Sequence, residues 1–297
     1  MNSTVMFDRW KHVQNHTWPF QMYKQYDLEL SNYFWTEYSA HKHVKDFIDK
    51  EISSDDADSR SYFYFPGDTW NVPTMREWKE AYDEELNFLY LSCVMAMSSN
   101  LETFMDAIIS LAIESNPGVL TNRPKSIDGT KLLKHSPMSK RRYKNMVNQC
   151  IEGTWMKRRN AIKSIFGSYP SVLDTHISTL ETIRKMRNRI GHAFGRDIQK
   201  ARTFSSLNKE PAERISLVTL RRWLGVSYDV AEAMDAFLLD NSIGEYQIIL
   251  AYHNHQEELS KLLYKEKARR IKKMYGGIDQ QVGLLFCEGL IDYYNSL

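Results

Sequence analysis

The segment from Ile183 to His192 concentrates side chains that can act on a phosphate ester. An imidazole titrates near neutral pH and can accept or donate a proton, and His192 supplies one here. A guanidinium such as that of Arg187 presents a fixed set of donors to phosphate oxygens, and the amide of Asn188 can hold a hydroxyl or orient the imidazole. Three further cations lie in the same segment: Arg184, Lys185 and Arg189.

A helix must hold these groups, because apolar residues recur at steps of three and four along the segment. This stripe consists of Ile177, Leu180, Ile183, Met186, Ile190 and Phe194. We predict a helix over residues 170–194 that ends at Gly195. On this helix Asn188 and His192 share one face, whereas Arg187 lies about 140° from His192 around an ideal helix.

The same residue types also fit a helix end without a catalytic role. Cations near a helix C-terminus complement the helix dipole, and a single histidine at such an end is commonly solvated or hydrogen-bonded. Gly191, next to His192, costs the helix about 1 kcal/mol relative to alanine. This cost predicts that another backbone segment approaches Gly191 closely.

Charge is unevenly distributed along the chain, although the net charge is only +2. Residues 140–202 contain fifteen Lys and Arg against four Asp and Glu, whereas residues 46–106 contain four Lys and Arg against fourteen Asp and Glu. Clustered cations attract phosphate backbones and make binding depend on salt. Alternatively, the acidic segment neutralises the basic one. We expect both effects, with a positive groove at the motif and paired charges around it.

Composition indicates a globular protein with a substantial core, since 42% of the 297 residues are hydrophobic and 26% are charged. Cys93, Cys150 and Cys287 are far apart and lack metal-site spacing, so we expect reduced thiols in a cytoplasmic protein. The sequence shows neither a signal peptide nor an apolar run long enough to span a membrane. We therefore expect no membrane association, no metal and no cofactor.

Helical periodicity dominates the chain and predicts an all-α fold. The predicted helices are 21–52, 74–114, 138–166 with a break at Gly153, 170–194, 216–224, 228–239 with Gly225 between them, 244–275 and 283–294. The predicted loops are 53–61, 117–137 and 195–214. In the second helix Glu102 and Asp106 share one face. They either orient Arg187 or His192 or lie on a solvated surface.

The domain organisation that we predict has three parts. Residues 1–72 form a helical and aromatic extension, residues 73–255 a helical domain, and residues 256–297 a C-terminal helical extension packed on the core. Within the first part, residues 1–20 are expected to be an ordered arm, because free tails seldom carry so many aromatic side chains.

The order Arg187-Asn188-x-x-x-His192 resembles the Arg-Asn-x-x-x-His signature of the HEPN superfamily (higher eukaryotes and prokaryotes nucleotide-binding). In that superfamily the signature lies on a helix late in an all-α domain, and here too long helical patterns precede it. The resemblance covers residues 75–255 and implies an HEPN-like helical bundle with additional N- and C-terminal helices. Two further stretches resemble such domains, Asn100-Leu101-Glu102-Thr103-Phe104-Met105-Asp106 and Trp155…Arg159…Phe166-Gly167.

The resemblance implies a metal-independent endoribonuclease that acts as a homodimer with a composite active site. Such an enzyme cuts RNA through attack by the 2′-hydroxyl and leaves a 2′,3′-cyclic phosphate. Arg187 would stabilise the phosphorane, His192 would act as acid or base, and Asn188 would position the reacting groups. Supporting phosphate contacts would come from Arg184, Lys185 and Arg189.

The resemblance also implies a role in toxin–antitoxin systems or antiphage defence, with RNA as substrate and an antitoxin or defence-system protein as partner. Two other functions fit the same residues. A non-catalytic HEPN-like module would bind nucleotide, RNA or a protein without cutting. An all-α interaction protein would offer its basic block to an acidic partner.

Overall fold

The computed structural model describes residues 6–67, 71–197, 199–200, 210–275 and 282–297, and within them the fold is all-α, as predicted. The helices are α1 (Trp18–Glu51), α2 (Met75–Ser115), α3 (Gly129–His135), α4 (Lys144–Ile151), α5 (Trp155–Phe166), α6 (Val172–Ala193), α7 (Leu217–Leu238), α8 (Tyr246–Asn254), α9 (Gln256–Leu259), α10 (Tyr264–Tyr275) and α11 (Leu284–Ser296). Short 3-10 turns lie at Ser59–Ser61, Pro117–Thr121 and Lys140–Arg142, and a π-helical turn follows α7 at Leu239–Ile243.

Helix α2 begins where the sequence predicts, because Thr74 and Glu77 cap its first turn. The N–H of Thr74 donates to Oε2 of Glu77 at 2.9 Å, and the N–H of Glu77 donates to Oγ1 of Thr74 at 3.4 Å. The helix then continues without a break through residues 98–100 to Ser115.

Three predicted segments differ from the structure. Residues 117–137, predicted as a loop, contain a 3-10 turn and α3, whose first turn Asp128 caps by accepting from the N–H of Thr130 at 2.9 Å. Helix α7 runs without interruption through Gly225, where an added Cβ would meet nothing within 4 Å. Residues 244–275 form three helices instead of one. The predicted break at 276–277 lies outside the described residues.

The chain folds into two compact units, each assembled from separated segments. The first unit comprises the described parts of Met1–Lys24, Asn100–Glu181 and Val226–Leu297. The second unit comprises the described parts of Gln25–Ser99 and Thr182–Gly225. Our predicted division consists of three continuous segments, 1–72, 73–255 and 256–297, and it stays a prediction.

The first unit has two hydrophobic clusters. One joins α2, α5, α6 and α7, and its fully buried members include Ile108, Ile109, Ile162, Met234 and Leu238. The first turns of α1 close this cluster, since the ring of Phe20 lies 5.8 Å from that of Phe104. The other cluster joins α8, α9, α10 and α11, with Ile249, Leu259, Cys287 and Leu290 fully buried.

The N-terminal arm is ordered over residues 6–17, as predicted, because polar groups attach it to the first unit. Arg9 is only 5% exposed and donates from Nη1 to the carbonyl of Ile243 at 2.8 Å. The buried carboxylate of Asp235 accepts from the N–H of Thr17 at 3.1 Å. Gly244 permits the close approach of the arm, since its φ is +51° and a Cβ there would lie 2.5 Å from the carbonyl oxygen of Arg9.

Glu245 makes the attachment of this arm sensitive to pH. Burial raises the pKa of Glu245 from 4.5 to about 7, while its Oε1 accepts from the N–H of Val13 at 2.5 Å. The folded protein therefore holds this proton up to about pH 7, whereas the unfolded chain releases it near pH 4.5. Because the folded state binds more protons in this window, stability falls as pH rises from 4.5 to 7.

We expect Glu245→Gln to remove this part of the pH dependence. Glutamine keeps the oxygen that accepts from Val13 but carries no charge, so the variant should exceed the wild type by up to about 3 kcal/mol at pH 8. The two proteins should have similar stability near pH 4.5. Urea denaturation at both pH values measures the difference, and an equal pH slope for the two proteins would contradict the assignment.

The second unit surrounds a core to which α1, α2, α6 and α7 each contribute. Leu91, Val94 and Leu220 are fully buried there, beside Phe34 and Trp223. A smaller aromatic cluster lies near the start of α2 and includes Phe63 of the segment before that helix. The ring of Phe63 stacks on that of Trp78 with centroids 4.2 Å apart, so the segment contributes a side chain to this cluster.

Within the described part of the chain, every helix is either too short or too polar to cross a bilayer.

Candidate functional site

Helix α6 presents its apolar stripe to the core, and this orientation determines where the motif residues lie. Ile183, Met186 and Ile190 are each at most 5% exposed and pack in the core of the second unit. The predicted stripe is confirmed for these three residues, whereas Phe194, its last predicted member, lies beyond the end of the helix at Ala193. The polar residues of the motif occupy the remaining surface of the helix.

The exposed side of α6 carries a row of cationic and titratable groups. Lys185, Arg189 and His192 follow one another at steps of four and three, and all three are exposed. Asn188 borders this row and is half-buried, one turn before His192. The structure therefore gives the imidazole an accessible position next to an amide and two cations.

Arg187 lies farther around the helix, as its spacing from His192 predicts. Its side chain is half-buried, and Nη1 donates to Oδ1 of Asn188 at 3.4 Å. This contact brings the arginine and the asparagine of the motif together, while His192 lies on the other side of Asn188.

The end of α6 is held by a chain reversal. The N–H of Gly195 donates to the carbonyl of Arg189 at 3.2 Å, and the carbonyl of Gly195 accepts from the N–H of Glu213 at 2.8 Å. The guanidinium of Arg189 also forms an ion pair with the carboxylate of Glu213. The charge of Arg189 is therefore compensated by Glu213, whereas Lys185 is exposed on the preceding turn.

The two glycines of this region have different roles, and the prediction for Gly191 is wrong. A Cβ at Gly191 would lie 3.9 Å from Cε of Met95, an ordinary contact, so no backbone of the described residues approaches it closely. The close approach occurs at Gly195, where φ is +80° and a Cβ would lie 2.9 Å from Cδ1 of Leu91. Gly195 ends the helix as predicted, since α6 stops at Ala193.

This difference gives opposite expectations for two alanine substitutions. Gly191→Ala should raise the free energy of unfolding by about 0.5–1 kcal/mol, because it adds a helix-forming residue at an exposed position. Gly195→Ala should lower it by at least about 1 kcal/mol, because alanine is strained at a positive φ and contacts Leu91. Thermal unfolding of both variants provides the test. Destabilisation by Gly191→Ala would contradict the ordinary contact expected between the added methyl group and Met95.

Glu102 and Asp106 lie on the part of α2 that belongs to the first unit. Oε1 of Glu102 accepts from Nη2 of Arg158 at 3.2 Å, and Arg158 is 5% exposed and covers the ring of Trp155. Asp106 borders a cavity of about 310 Å³. The predicted role of these carboxylates toward the motif stays a prediction.

Ion pairs in the second unit show how the acidic segment is compensated. Its carboxylates pair with cations of the same segment, such as Lys79 with Asp55 at 2.7 Å and Arg76 with Asp56 at 3.2 Å. Lys45 also pairs with Asp83 at 2.8 Å. Thus several charges of the acidic segment are compensated without using the cations of the motif helix.

Sequence reasoning missed a pocket at the C-terminal end of α6. Its volume is about 390 Å³, and it is lined by Phe88, Leu91, Phe194, Pro211, Arg196 and Arg214, among others. Phe194 had been assigned to the apolar stripe alone. Phe88 follows the acidic residues 83–85 on α2 and is 53% exposed, and only its contact with Phe194 shows that it lines a pocket.

No protein-family model matches the chain, and no curated protein or solved structure matches it either. The resemblance to the HEPN superfamily thus stays a prediction from the motif residues and the order of the helices.

Proposed function

We propose that this protein is a metal-independent endoribonuclease with an HEPN-like helical bundle. The observation that carries the proposal is the arrangement on α6, where an exposed His192 follows Asn188 by one turn and Asn188 accepts from Arg187. An imidazole, an amide and a guanidinium in this order supply proton transfer, positioning and stabilisation of negative charge.

The reaction begins when a base removes the proton of the 2′-hydroxyl. The oxygen attacks the neighbouring phosphorus, the bond to the 5′-oxygen breaks, and an acid returns a proton to that leaving oxygen. The products are a 2′,3′-cyclic phosphate and a 5′-hydroxyl. His192 acts as acid or base, Arg187 stabilises the charge on the phosphorane, and Asn188 positions the reacting hydroxyl or the imidazole.

A homodimer completes the site in this proposal. One copy of the motif supplies one imidazole, whereas the reaction needs a base on one side of the phosphorus and an acid on the other. Two motif helices that face each other across a two-fold axis supply both. Arg184, Lys185 and Arg189 add phosphate contacts.

The cellular role follows from the resemblance. We infer action in toxin–antitoxin systems or antiphage defence, with an antitoxin or a defence-system protein as partner. A cytoplasmic location agrees with the chemistry of the cysteines, since Cys93, Cys150 and Cys287 are buried free thiols.

An RNA that lacks the 2′-hydroxyl at one bond tests the proposed chemistry directly. An RNA that the protein cuts is synthesised again with a single 2′-deoxy nucleotide on the 5′ side of the cleaved bond, and both RNAs are incubated in EDTA. We expect the all-ribose RNA to yield a 2′,3′-cyclic phosphate and the substituted RNA to remain intact at that bond. Cleavage at the substituted bond would contradict the mechanism, and RNA binding without any cleavage would favour the non-catalytic module.

A further inference from the structure

The pocket at the end of α6 has aromatic walls and basic residues at its border. It lies within the second unit, between the first half of α2, the end of α6 and residues 211–214. Among the described residues, the lining includes two phenylalanines, Phe88 and Phe194, and two arginines, Arg196 and Arg214, against the single carboxylate of Glu84. This combination differs from the aliphatic lining of an ordinary packing defect.

Two phenylalanine rings form a stacking platform in this pocket. The rings of Phe88 and Phe194 stack with centroids 4.8 Å apart and planes inclined by 25°. Phe88 nevertheless remains 53% exposed, so the platform offers a ring to solvent. Nucleobases stack on such rings whatever their sequence, because every base has a π face.

Specific contacts hold the two chain segments that line the pocket. Phe194 adopts a φ of +51°, which is uncommon for an aromatic residue and turns the chain at the end of α6. Asn87 holds the facing segment, since Nδ2 donates to the carbonyl of Glu213 at 3.1 Å and Oδ1 accepts from the N–H of Ile215 at 3.3 Å. The pocket is therefore present before any ligand binds.

The arginines give the pocket a preference for anions. Arg196 is oriented by the backbone, because Nε donates to the carbonyl of Glu210 at 2.9 Å and Nη1 to that of Ala193 at 3.4 Å. Arg214 forms an ion pair with Glu84, and both side chains are more than half exposed. Such an exposed pair contributes little stability, so Arg214 can turn to a phosphate that enters the pocket.

The pocket is also close to the motif along the chain. Phe194 follows His192 by two residues, so their Cα atoms are at most about 7 Å apart. A nucleotide whose base stacks on Phe88 can thus keep its backbone near His192. A base inside a duplex is covered by its neighbours, whereas an unpaired base is free to stack on a protein ring.

We propose that this pocket binds an unpaired nucleobase of the RNA next to the reacting phosphate, which makes single-stranded RNA the substrate. The inference rests on the proposed ribonuclease function. It assigns Phe88 and Phe194 to base stacking, and Arg196 and Arg214 to the adjoining phosphates.

Binding of an uncleavable RNA tests this inference separately from cleavage. A short, fluorescently labelled 2′-O-methyl RNA lacks the attacking hydroxyl, and its affinity for the full chain is measured by anisotropy in EDTA. Phe88→Ala should raise Kd roughly 5- to 100-fold, because the stacking surface is lost. Phe88→Trp, which restores a ring, should bind at least as tightly as the wild type. Annealing the complementary strand should weaken binding to the wild type.

Tyr64→Ala is the matched control, since Tyr64 is a 92% exposed aromatic residue of the same unit that does not line the pocket. Equal affinity of the Phe88→Ala and wild-type proteins would overturn the inference, as would equal affinity for single-stranded and duplex RNA or no binding at all. If binding depends on Phe88 but the protein never cuts RNA, the assignment of the pocket to base binding holds and the ribonuclease proposal fails. If the protein cuts RNA and Phe88→Ala binds RNA as tightly as the wild type, the ribonuclease proposal holds and the base-binding role of the pocket is wrong.

Discussion

His192→Ala should slow RNA cleavage by about 10²- to 10⁴-fold, because the substitution removes the imidazole that transfers a proton in the reaction. His192 is exposed, so its removal should change the free energy of unfolding by no more than about 0.5 kcal/mol. A loss of activity without a loss of stability is the signature of a chemical role. Initial rates on a labelled RNA and thermal unfolding of the same preparation measure both quantities.

Two further variants make the assignment specific. His43→Ala removes another exposed imidazole of the second unit and should leave the rate unchanged. Arg187→Ala should lower the rate by about 10²- to 10³-fold, since a charge-stabilising donor is lost, and Arg187→Lys should restore only part of it because lysine lacks the guanidinium fork. An equal effect of His43→Ala and His192→Ala would contradict the proposed role of His192.

Arg9→Leu should lower the free energy of unfolding by about 3–5 kcal/mol, because it removes one partner of a buried ion pair. Besides its bond to Ile243, the guanidinium donates from Nη2 to Oγ of Ser115 at 2.8 Å and from Nε to Oδ1 of Asp128 at 3.1 Å. Since a whole domain is typically stable by about 5–15 kcal/mol, this loss is a large fraction of the total.

Asp128 explains why the loss is so large. Burial by itself raises the pKa of Asp128, but the charge of Arg9 and hydrogen bonds from Tyr293 and Thr130 outweigh burial, so the net pKa lies below its ordinary value. Without Arg9, a half-buried carboxylate loses its counter-charge. The stabilisation is present above the ordinary pKa of 3.8 and is lost as pH falls through the lower value of the folded state.

The Arg9 prediction is measured by urea denaturation at pH 7, beside Arg123→Leu, which removes an exposed arginine of the same unit and should change stability by less than about 0.5 kcal/mol. Arg9→Lys keeps the charge and should be intermediate. If Arg9→Leu does not fold, the free energy of unfolding of Arg9→Lys still measures the cost of losing the several donors of the guanidinium. Equal stability of the Arg9→Lys and wild-type proteins would contradict the account.

The sequence predicted those helices whose apolar periodicity extends over many turns. In α6 the stripe identifies the buried side, and the accessible position of His192 follows from it. Helix α3 was missed because seven residues are too few for a period, and Asp128-Gly129 resembles a turn. Gly225 is typical of a helix break, but the helix tolerates this glycine because its neighbours Trp223 and Val226 are buried.

The pocket could not be predicted, because it depends on residues that are distant in sequence. Phe88 and Phe194 meet only after α2 and α6 have packed on the same core. The positive φ values of Phe194 and Gly195 then turn the chain toward residues 211–214. Periodicity describes one helix at a time and carries no information on such contacts.

The most direct test of the central claim is the cleavage of total cellular RNA by the purified protein in EDTA. The wild type, Arg187→Ala and His192→Ala are compared in parallel, and the ends of the products are mapped. We predict cleavage by the wild type with 2′,3′-cyclic phosphate ends and little or none by either variant. Equal cleavage by all three proteins would contradict the assignment of the reaction to α6.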